Sequence, residues 1–425
     1  MDENQNELRE QELVQQPDPA TNSSERRKSF LSGIIVGLVA ALLISGGMYL
    51  YSRLHYKQAS ADTVENESYL NNNVINKIHV LEESINEYYL EDVDPEAVAD
   101  SLYAGLIDGL GDKYSTYYTA EQLEQVRSQS EGVFYGIGAS ITIDEETESA
   151  KIASVLPDTP AEEAGLKDND IIVAVDDEPT AGKDLTEIVS EIKGKENTQV
   201  HLTVYREGEY DYLEFDITRR PVETTTVAYE MDEENKIAMI HIAEFDTVTT
   251  EQFAESLQQA RDEEMKGLII DLRDNPGGNL SAVVDIARMI LPKGLIVYTE
   301  DKYGEREEYS CDGKNELDVP LVVLVNGNSA SASEILAGAV KDYGIGKILG
   351  TTTFGKGIVQ KIFGLTDGSA VKLTVSHYYT PNGNDIHGVG IEPDETLELD
   401  AKQYIEEGVD NQMDRAKEIL IGEIQ

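Results

Sequence analysis

Apolar positions change rhythm three times along the chain. From Glu65 to Leu110 they recur at steps of three and four (Val74, Ile78, Leu81, Ile85 and Tyr88, then Val98, Leu102 and Leu106), which predicts two amphipathic helices. The stretch GLGDKYSTYYT ends this helical part. Between Gly132 and Arg220 the pattern shortens to the strands GIGASITI, AKIASVL, DIIVAVDDEP and TQVHLTVYR around one helix, DLTEIVSEIKG, and predicts a small separate β-rich module. From Lys236 onward apolar strands such as GLIIDLR and PLVVLVN alternate with helices such as TEQFAESLQQARDEE and SEILAGAVKDYG. That alternation predicts an α/β layer with buried strands, whose chemistry gathers in the loops beyond the strand C-terminal ends. RDNPGGN, NGNSASASE and TTFGKG are three such loops. The tail from Asp400 to Gln425 reads as an amphipathic helix that packs on the core or on a second subunit.

Ahead of these elements, residues 1–29 are polar and acidic with a Pro-Asp-Pro break and read as a disordered cytosolic tail. Phe30 to Ser52 then runs without a charge. As a helix it would span about 35 Å, enough to cross a bilayer. Arg26, Arg27 and Lys28 precede it and Tyr49 and Tyr51 close it, which fits a basic cytoplasmic flank and an interfacial anchor, although Arg53 and Lys57 on the far side weaken the orientation. A cleaved signal peptide is the alternative, with Ala59–Ala61 as its cleavage site, but the apolar run is long and that site lies far beyond it. The expectation is a single-pass anchor in the cell membrane with the bulk of the chain outside the cytoplasm.

Composition narrows the partners. The 82 acidic and 34 basic residues give a formal charge of −48, which argues against nucleic acid and against an anionic membrane surface as electrostatic partners. A single cysteine, Cys311, excludes an internal disulfide framework and a cysteine-rich metal site.

The stretch GTTTFGKGIVQ, Gly350 to Gln360, starts like a phosphate-binding loop. Gly357 stands where a hydroxyl would hold Mg²⁺, and IVQKIF has strand character instead of the helix such a loop opens, so Lys356 needs another role. NSASASE sets Ser329, Ser331 and Ser333 between a buried strand and an apolar helix, where Ser331 to Glu334 also reads as a helix capping box. Capping and nucleophilic roles are compatible, since a helix N-terminus offers amide donors to an oxyanion. A serine nucleophile needs a base. None of the six histidines lies in the three loops; His377 reads as a strand side chain, and His387 after its turn is the rival. Lys356, beside glycines in a partly apolar loop, could lose its proton by desolvation, against the alternative of a solvated surface lysine. Asp274 and Asp342 read as structural; no spacing argues for a metal, and no cofactor is implied.

Two resemblances join these pieces. PDTPAEEAGLKDNDIIVAVDDEPT resembles a PDZ domain, and Tyr135, Gly136, Ile137 and Gly138 fall where such domains hold a peptide's terminal carboxylate on backbone N–H groups. SASASEILAGAV and TFGKGIVQ, with DLRDNPGG upstream and TPNGNDIHGVGIEPD downstream, resemble the carboxyl-terminal processing peptidases from Glu65 to Leu399. The resemblance implies an α/β protease core with an inserted β-rich PDZ domain, with Ser331 as nucleophile, Lys356 as its base and Gln360 holding the lysine. It further implies an oxyanion site at the N–H groups of Gly278 and Ala332, protein substrates with exposed C-termini, and dimers or larger rings. The expected division is a tail (1–29), a transmembrane helix (30–52), a helical juxtamembrane region (53–121), the PDZ domain (122–220), the protease core (221–400) and a C-terminal helical tail (401–425). A catalytically silent peptide-binding scaffold and a nucleotide hydrolase are the rival readings.

Overall fold

The structure, a computed structural model, describes residues 68–144 and 149–424. The apolar run Phe30–Ser52 lies outside the described residues; among these no helix is long and apolar enough to cross a membrane. Residues up to Val93 form one unit and the rest a second. The first contains helix α1 (Asn72–Tyr88), capped by the Asn71 side chain, with its apolar positions Val74, Leu81 and Ile85 exposed. In the second unit α2 (Pro95–Asp108) is capped by Asp94, begins with proline and buries no residue. The three- and four-residue rhythm thus forms both helices, and among the described residues none buries their apolar positions.

Strand β1 (Thr116–Tyr118) leads to α3 (Ala120–Glu131), opened by a Thr119–Gln122 capping box and closed by Gly132 in the left-handed region. Next come β2 (Val133–Gly136) and the β-rich module: β3 (Ala139–Ile143), β4 (Ala150–Val155), α4 (Pro160–Ala164), β5 (Ile171–Val175), β6 (Glu178–Pro179), α5 (Leu185–Ile192), β7 (Gln199–Tyr205) and β8 (Leu213–Thr218). Its sheet runs β3-β4-β5-β7-β8, and Ile152, Ile172, Leu202 and Ile217 meet Ile188 and Ile192 of α5 in a core of its own. Strand β9 (Arg220–Glu223) returns beside β2, so the module is inserted through a two-stranded ribbon.

The remaining chain supplies β10 (Val227–Asp232), β11 (Ile237–Ile242), α6 (Thr249–Asp262), β12 (Gly267–Asp271), α7 (Leu280–Ala287), β13 (Gly294–Asp301), β14 (Arg306–Cys311), β15 (Leu321–Val325), α8 (Ala332–Tyr343), β16 (Lys347–Gly350), β17 (Ile358–Gly364), β18 (Ala370–Tyr379), β19 (Glu395–Thr396), α9 (Ala401–Glu407) and α10 (Asn411–Ile424). One sheet has the order β10-β11-β12-β15-β16-β19, parallel except for β10. Its central strands β12 and β15 are buried throughout, as continuous apolar runs require between two covered faces. Phe253 and Leu257 of α6, Val283 and Ile286 of α7 and Leu336 and Val340 of α8 cover one face. The second sheet, antiparallel, has the order β1-β18-β13-β14 with β17 added on β18. The strand–helix alternation did not predict it, because its strands come from distant parts of the chain and one of them, Arg306–Cys311, is charged and largely exposed.

The expected C-terminal tail is a layer of the core. Ala416, Ile419 and Leu420 of α10 close the other face of the parallel sheet against Ile269, Val322 and Leu324. Arg273, just past β12, bridges Asp271 and Asp410 at 2.6 and 2.8 Å and so pins the start of α10 to the strand ends. Leu420 is fully buried. Leu420→Ala is expected to lower stability by about 2–5 kcal/mol, the range for a core leucine truncation, read as a shift in urea midpoint; an unchanged midpoint would return α10 to the status of a loose tail.

Candidate active site

The loops after β12, β15 and β16 meet at the C-terminal edge of the parallel sheet, where strand polarity directs them. Hydrogen bonds separate the three serines of NSASASE. Ser329 Oγ donates to Leu272 O at 2.7 Å and Ser333 Oγ to Asn275 O at 3.0 Å, and both residues are fully buried. They stitch the NSASASE loop to the loop after β12. Among the described residues the Ser331 hydroxyl donates to none. Ser331 is half-buried at the N-cap of α8 with φ 55° and ψ −111°, a left-handed conformation that costs a non-glycine residue about 1–3 kcal/mol.

Glu334, fully buried in the first turn of α8, supports this backbone. Its carboxylate accepts from Ser331 N at 2.8 Å and, across to the loop after β16, from Thr353 Oγ1 at 2.6 Å, Gly355 N at 2.7 Å and Lys356 N at 2.8 Å. The buried Tyr378 hydroxyl of β18 adds a second clasp, donating to the carbonyls of Ser331 (3.0 Å) and Lys356. Two side chains therefore hold the backbones of Ser331 and Lys356 from both sides. Lys356 Nζ stands 5.1 Å from the Tyr114 ring centre. Burial pushes the Lys356 ammonium below the ordinary lysine range, with Lys372 and Lys113 adding to the effect and Glu334 opposing it.

Among the described residues no hydrogen bond joins Ser331 Oγ to Lys356 Nζ. Gln360 aims its amide at Ile358 O and Thr374 Oγ1, at 3.5 and 3.4 Å, and makes no bond to Lys356 in this conformation. Such contacts commonly tighten only when substrate is bound. His387 lays its backbone against Gly357 and sets its ring edge-on to His377 at 5.4 Å, without a bond to Ser331.

Gly277 and Gly278 have φ of 105° and 138°. A β-carbon on Gly277 would stand 2.7 Å from Ser331 Cβ and 2.9 Å from Ala332 N, and one on Gly278 would stand 2.3 Å from Phe245 O, so both positions require glycine. Gly277 N–H is spent on Asn275 Oδ1 at 2.8 Å. Among the described residues Gly278 N–H and Ala332 N–H donate to no protein acceptor, as an oxyanion site requires.

In the β-rich module, Ile137 O and Gly138 O accept from Ala161 N and Leu156 N at 2.8 and 3.0 Å. Among the described residues the N–H groups of Ile137 and Gly138 make no such bond. Gly138 has φ 82°, and a β-carbon there would strike Thr159. Strand β3, which follows, is the free edge of its sheet with α5 beside it, a geometry that admits an added peptide strand. Tyr135 lies in β2 and its carbonyl accepts from Gly194 N at 3.2 Å.

Asp274 accepts from Asn326 and Asn328, and Asp342 from Asn382 N. Among the described residues no group of acids, histidines or cysteines is arranged to hold a metal ion. A pocket of about 580 Å³ lined by His241, Asp271, Arg273 and Gln412 opens on the α10 face of the sheet, and its Asp271 and Arg273 are paired with each other.

The sequence offered Glu334 only as half of a cap, and gave no sign of Tyr378, Tyr114 or the two neighbouring lysines. The spacing S-x-x-E before an apolar helix marked Glu334; its full burial was the missing part. Tyr378 lies in a separate strand, and only the pairing of β17 with β18 brings it to the site.

The chain is similar to known proteins in two of its parts. Peptidase family S41 matches residues 236–397 and a PDZ domain matches residues 151–206. A carboxyl-terminal-processing protease of Synechocystis sp. is 37% identical over 318 residues, 74% of this chain and 74% of that protein. A carboxy-terminal processing protease of Bacillus subtilis is 33% identical over 386 residues, 88% of this chain and 79% of that protein. Among solved structures, the photosystem II D1 C-terminal processing protease is 31% identical, with 75% of this chain and 86% of that chain covered and a TM-score of 0.45. The chain belongs to the carboxyl-terminal processing proteases, serine peptidases of family S41 with a PDZ domain.

Proposed function

We propose that this serine peptidase is a membrane-anchored endopeptidase that holds the C-terminal end of a protein substrate on its PDZ module and cleaves through an acyl-enzyme on Ser331, with Lys356 as base. The observation that carries the reading is the double clasp: Glu334 and Tyr378 each bond the backbones of both residues. Neutral Lys356 takes the Ser331 proton as Oγ attacks the peptide carbonyl, and the oxyanion forms against the N–H groups of Gly278 and Ala332. The proton passes to the leaving amine. Water, deprotonated by the same lysine, then releases the acyl group. Gln360, turned toward Thr374 here, would swing to hold the lysine once substrate fills the site.

Ser331→Ala and Lys356→Ala are each expected to lower kcat by several orders of magnitude with the fold intact. A serine-reactive probe should label Ser331 alone. Because Lys356 must be neutral and its pKa lies below the ordinary 10.5, kcat/KM should rise with pH and level off before that value. A rise centred near ~6.5 would point to a histidine, and full activity of Lys356→Ala would leave His387 to be tested as the base.

Recognition is separable from chemistry in the uncleaving Ser331→Ala chain. A peptide with a free carboxylate is expected to bind it roughly ten- to a hundredfold tighter than its amide, the value of a hydrogen bond to charge, ~1.5–3 kcal/mol. Equal affinities would remove the terminal carboxylate from recognition.

The anchor reading rests on Phe30–Ser52 and its basic flank. The chain should stay with membranes through an alkaline wash, and its PDZ and protease parts should be digested by protease added outside intact cells. Recovery as a soluble protein beginning near Ala59–Ala61 would replace the anchor with a cleaved leader.

A further inference from the structure

Asn279 follows Gly278 and is the N-cap of α7, a position at which asparagine is among the best capping residues. Its side chain makes no cap bond. It turns instead to the last turn of α3, where Asn279 Nδ2 donates to Ser130 O at 2.7 Å and Ser130 Oγ donates to Asn279 Oδ1 at 2.8 Å. The two residues are thus reciprocally paired across a sequence separation of 149 positions, while a helix end is left without its side-chain cap.

Both ends of this pair lead to functional backbone. On one side, Asn279 N donates to Phe245 O at 2.6 Å and Phe245 N to Gly277 O at 2.8 Å, so the peptide units flanking Gly278 N–H are fixed by the Phe245 loop and by Asn279. On the other side, Ser130 lies two residues before Gly132, where β2 begins its run to Tyr135–Gly138. Gly132 has φ 70°, and a β-carbon there would stand 2.5 Å from Val248 Cγ2 and 2.9 Å from Asp246 Cβ. The lead into the PDZ module is therefore pressed against the same loop that holds Gly277. Thr247 N also donates to Ser130 O, at 3.2 Å.

We propose that Ser130 and Asn279 are positioning residues: their hydrogen-bonded pair links the carboxylate loop of the PDZ module to the Gly277–Gly278 oxyanion loop, so that a bound C-terminus sets the aim of Gly278 N–H. The proposal rests on the reading of Gly278 as oxyanion donor and of Tyr135–Gly138 as the peptide site. A linkage of this kind acts on turnover and leaves the binding of substrate at the cleft unchanged, because Asn279 touches no substrate.

The test uses the full chain in detergent and a short quenched substrate with an amidated end, to which an uncleaved peptide ending in valine with a free carboxylate is added. In the wild type the added peptide is expected to raise kcat about five- to tenfold, the size of one neutral hydrogen bond, with KM unchanged. Ser130→Ala, which removes one hydroxyl at a helix end, and Asn279→Ala should each reduce that stimulation below about twofold while binding the valine peptide as the wild type does. Ser130→Thr, which keeps the hydroxyl, should restore it; a general loss of packing would not be rescued in this way. Absence of stimulation in the wild type, or full stimulation in both alanine variants, would overturn the linkage. A Ser331→Ala chain that binds the acid and amide peptides equally would overturn the PDZ reading and the linkage together, and is scored separately from the kinetics.

Discussion

The site depends on one buried carboxylate. Glu334 is wholly removed from solvent, and an acid so placed without partners would cost several kcal/mol. All four of its partners donate, two to each oxygen: Thr353 Oγ1 and Gly355 N to Oε1, Ser331 N and Lys356 N to Oε2. Three of the four are backbone amides. The carboxylate therefore fixes chain direction, whatever side chains the loops carry. Since α8 is buried from Ala332 to Val340, docking this helix on the sheet delivers Glu334 to one position, and the loop bearing Lys356 must wrap around it. Charge-assisted bonds of this kind are roughly twice as strong as neutral ones, which explains how a loop with so many glycines is held.

The same carboxylate makes the Ser331 backbone tolerable. A φ of 55° on a residue with a β-carbon needs support on both sides of the peptide unit. Glu334 takes the N–H and Tyr378 gives its proton to the carbonyl. The phenol's one proton is shared between two carbonyls, Ser331 O and Lys356 O, and the shared hydroxyl keeps the two backbones close together. Net charge plays little part here. In a chain of −48, Lys356 is surrounded locally by Lys113 and Lys372, and its burial outweighs the one acid that faces it, Glu334. Local sign and desolvation, not overall balance, decide whether this lysine can give up its proton.

Much of the architecture was legible because it depends on local pattern. The strand–helix alternation announced the parallel sheet and the three loops at its edge. Ser331 could be told from Ser329 and Ser333 only by resemblance, because their hydroxyls are spent on Leu272 and Asn275, more than fifty residues away. The antiparallel sheet was hidden for a physical reason: it is assembled from strands far apart in the chain, and β14, mostly exposed and rich in charge, lacks the apolar run that marks β12 and β15. The tail reads as one helix and forms two, α9 and α10, broken at Gly408, and its role depended on Arg273–Asp410, a contact between segments that no window of sequence contains.

The PDZ module is joined to the core through a two-stranded ribbon, β2 and β9. A two-stranded ribbon is marginal by itself, and β2 and β9 pair only with each other. Their ends on the core side are nonetheless firmly held: Thr224 N donates to Gly132 O at 2.7 Å, and Gln252 Oε1 accepts from Thr226 N and Val227 N at 2.8 and 3.2 Å. The module's end is held too, by Gly194 N on Tyr135 O. Both ends of the ribbon are thus tied by hydrogen bonds, one to the core and one to the module. Motion of the module must pass to the core through those anchors, and the core residues they meet belong to the loop before α6 and, through Asn279, to the glycine pair beside Ser331.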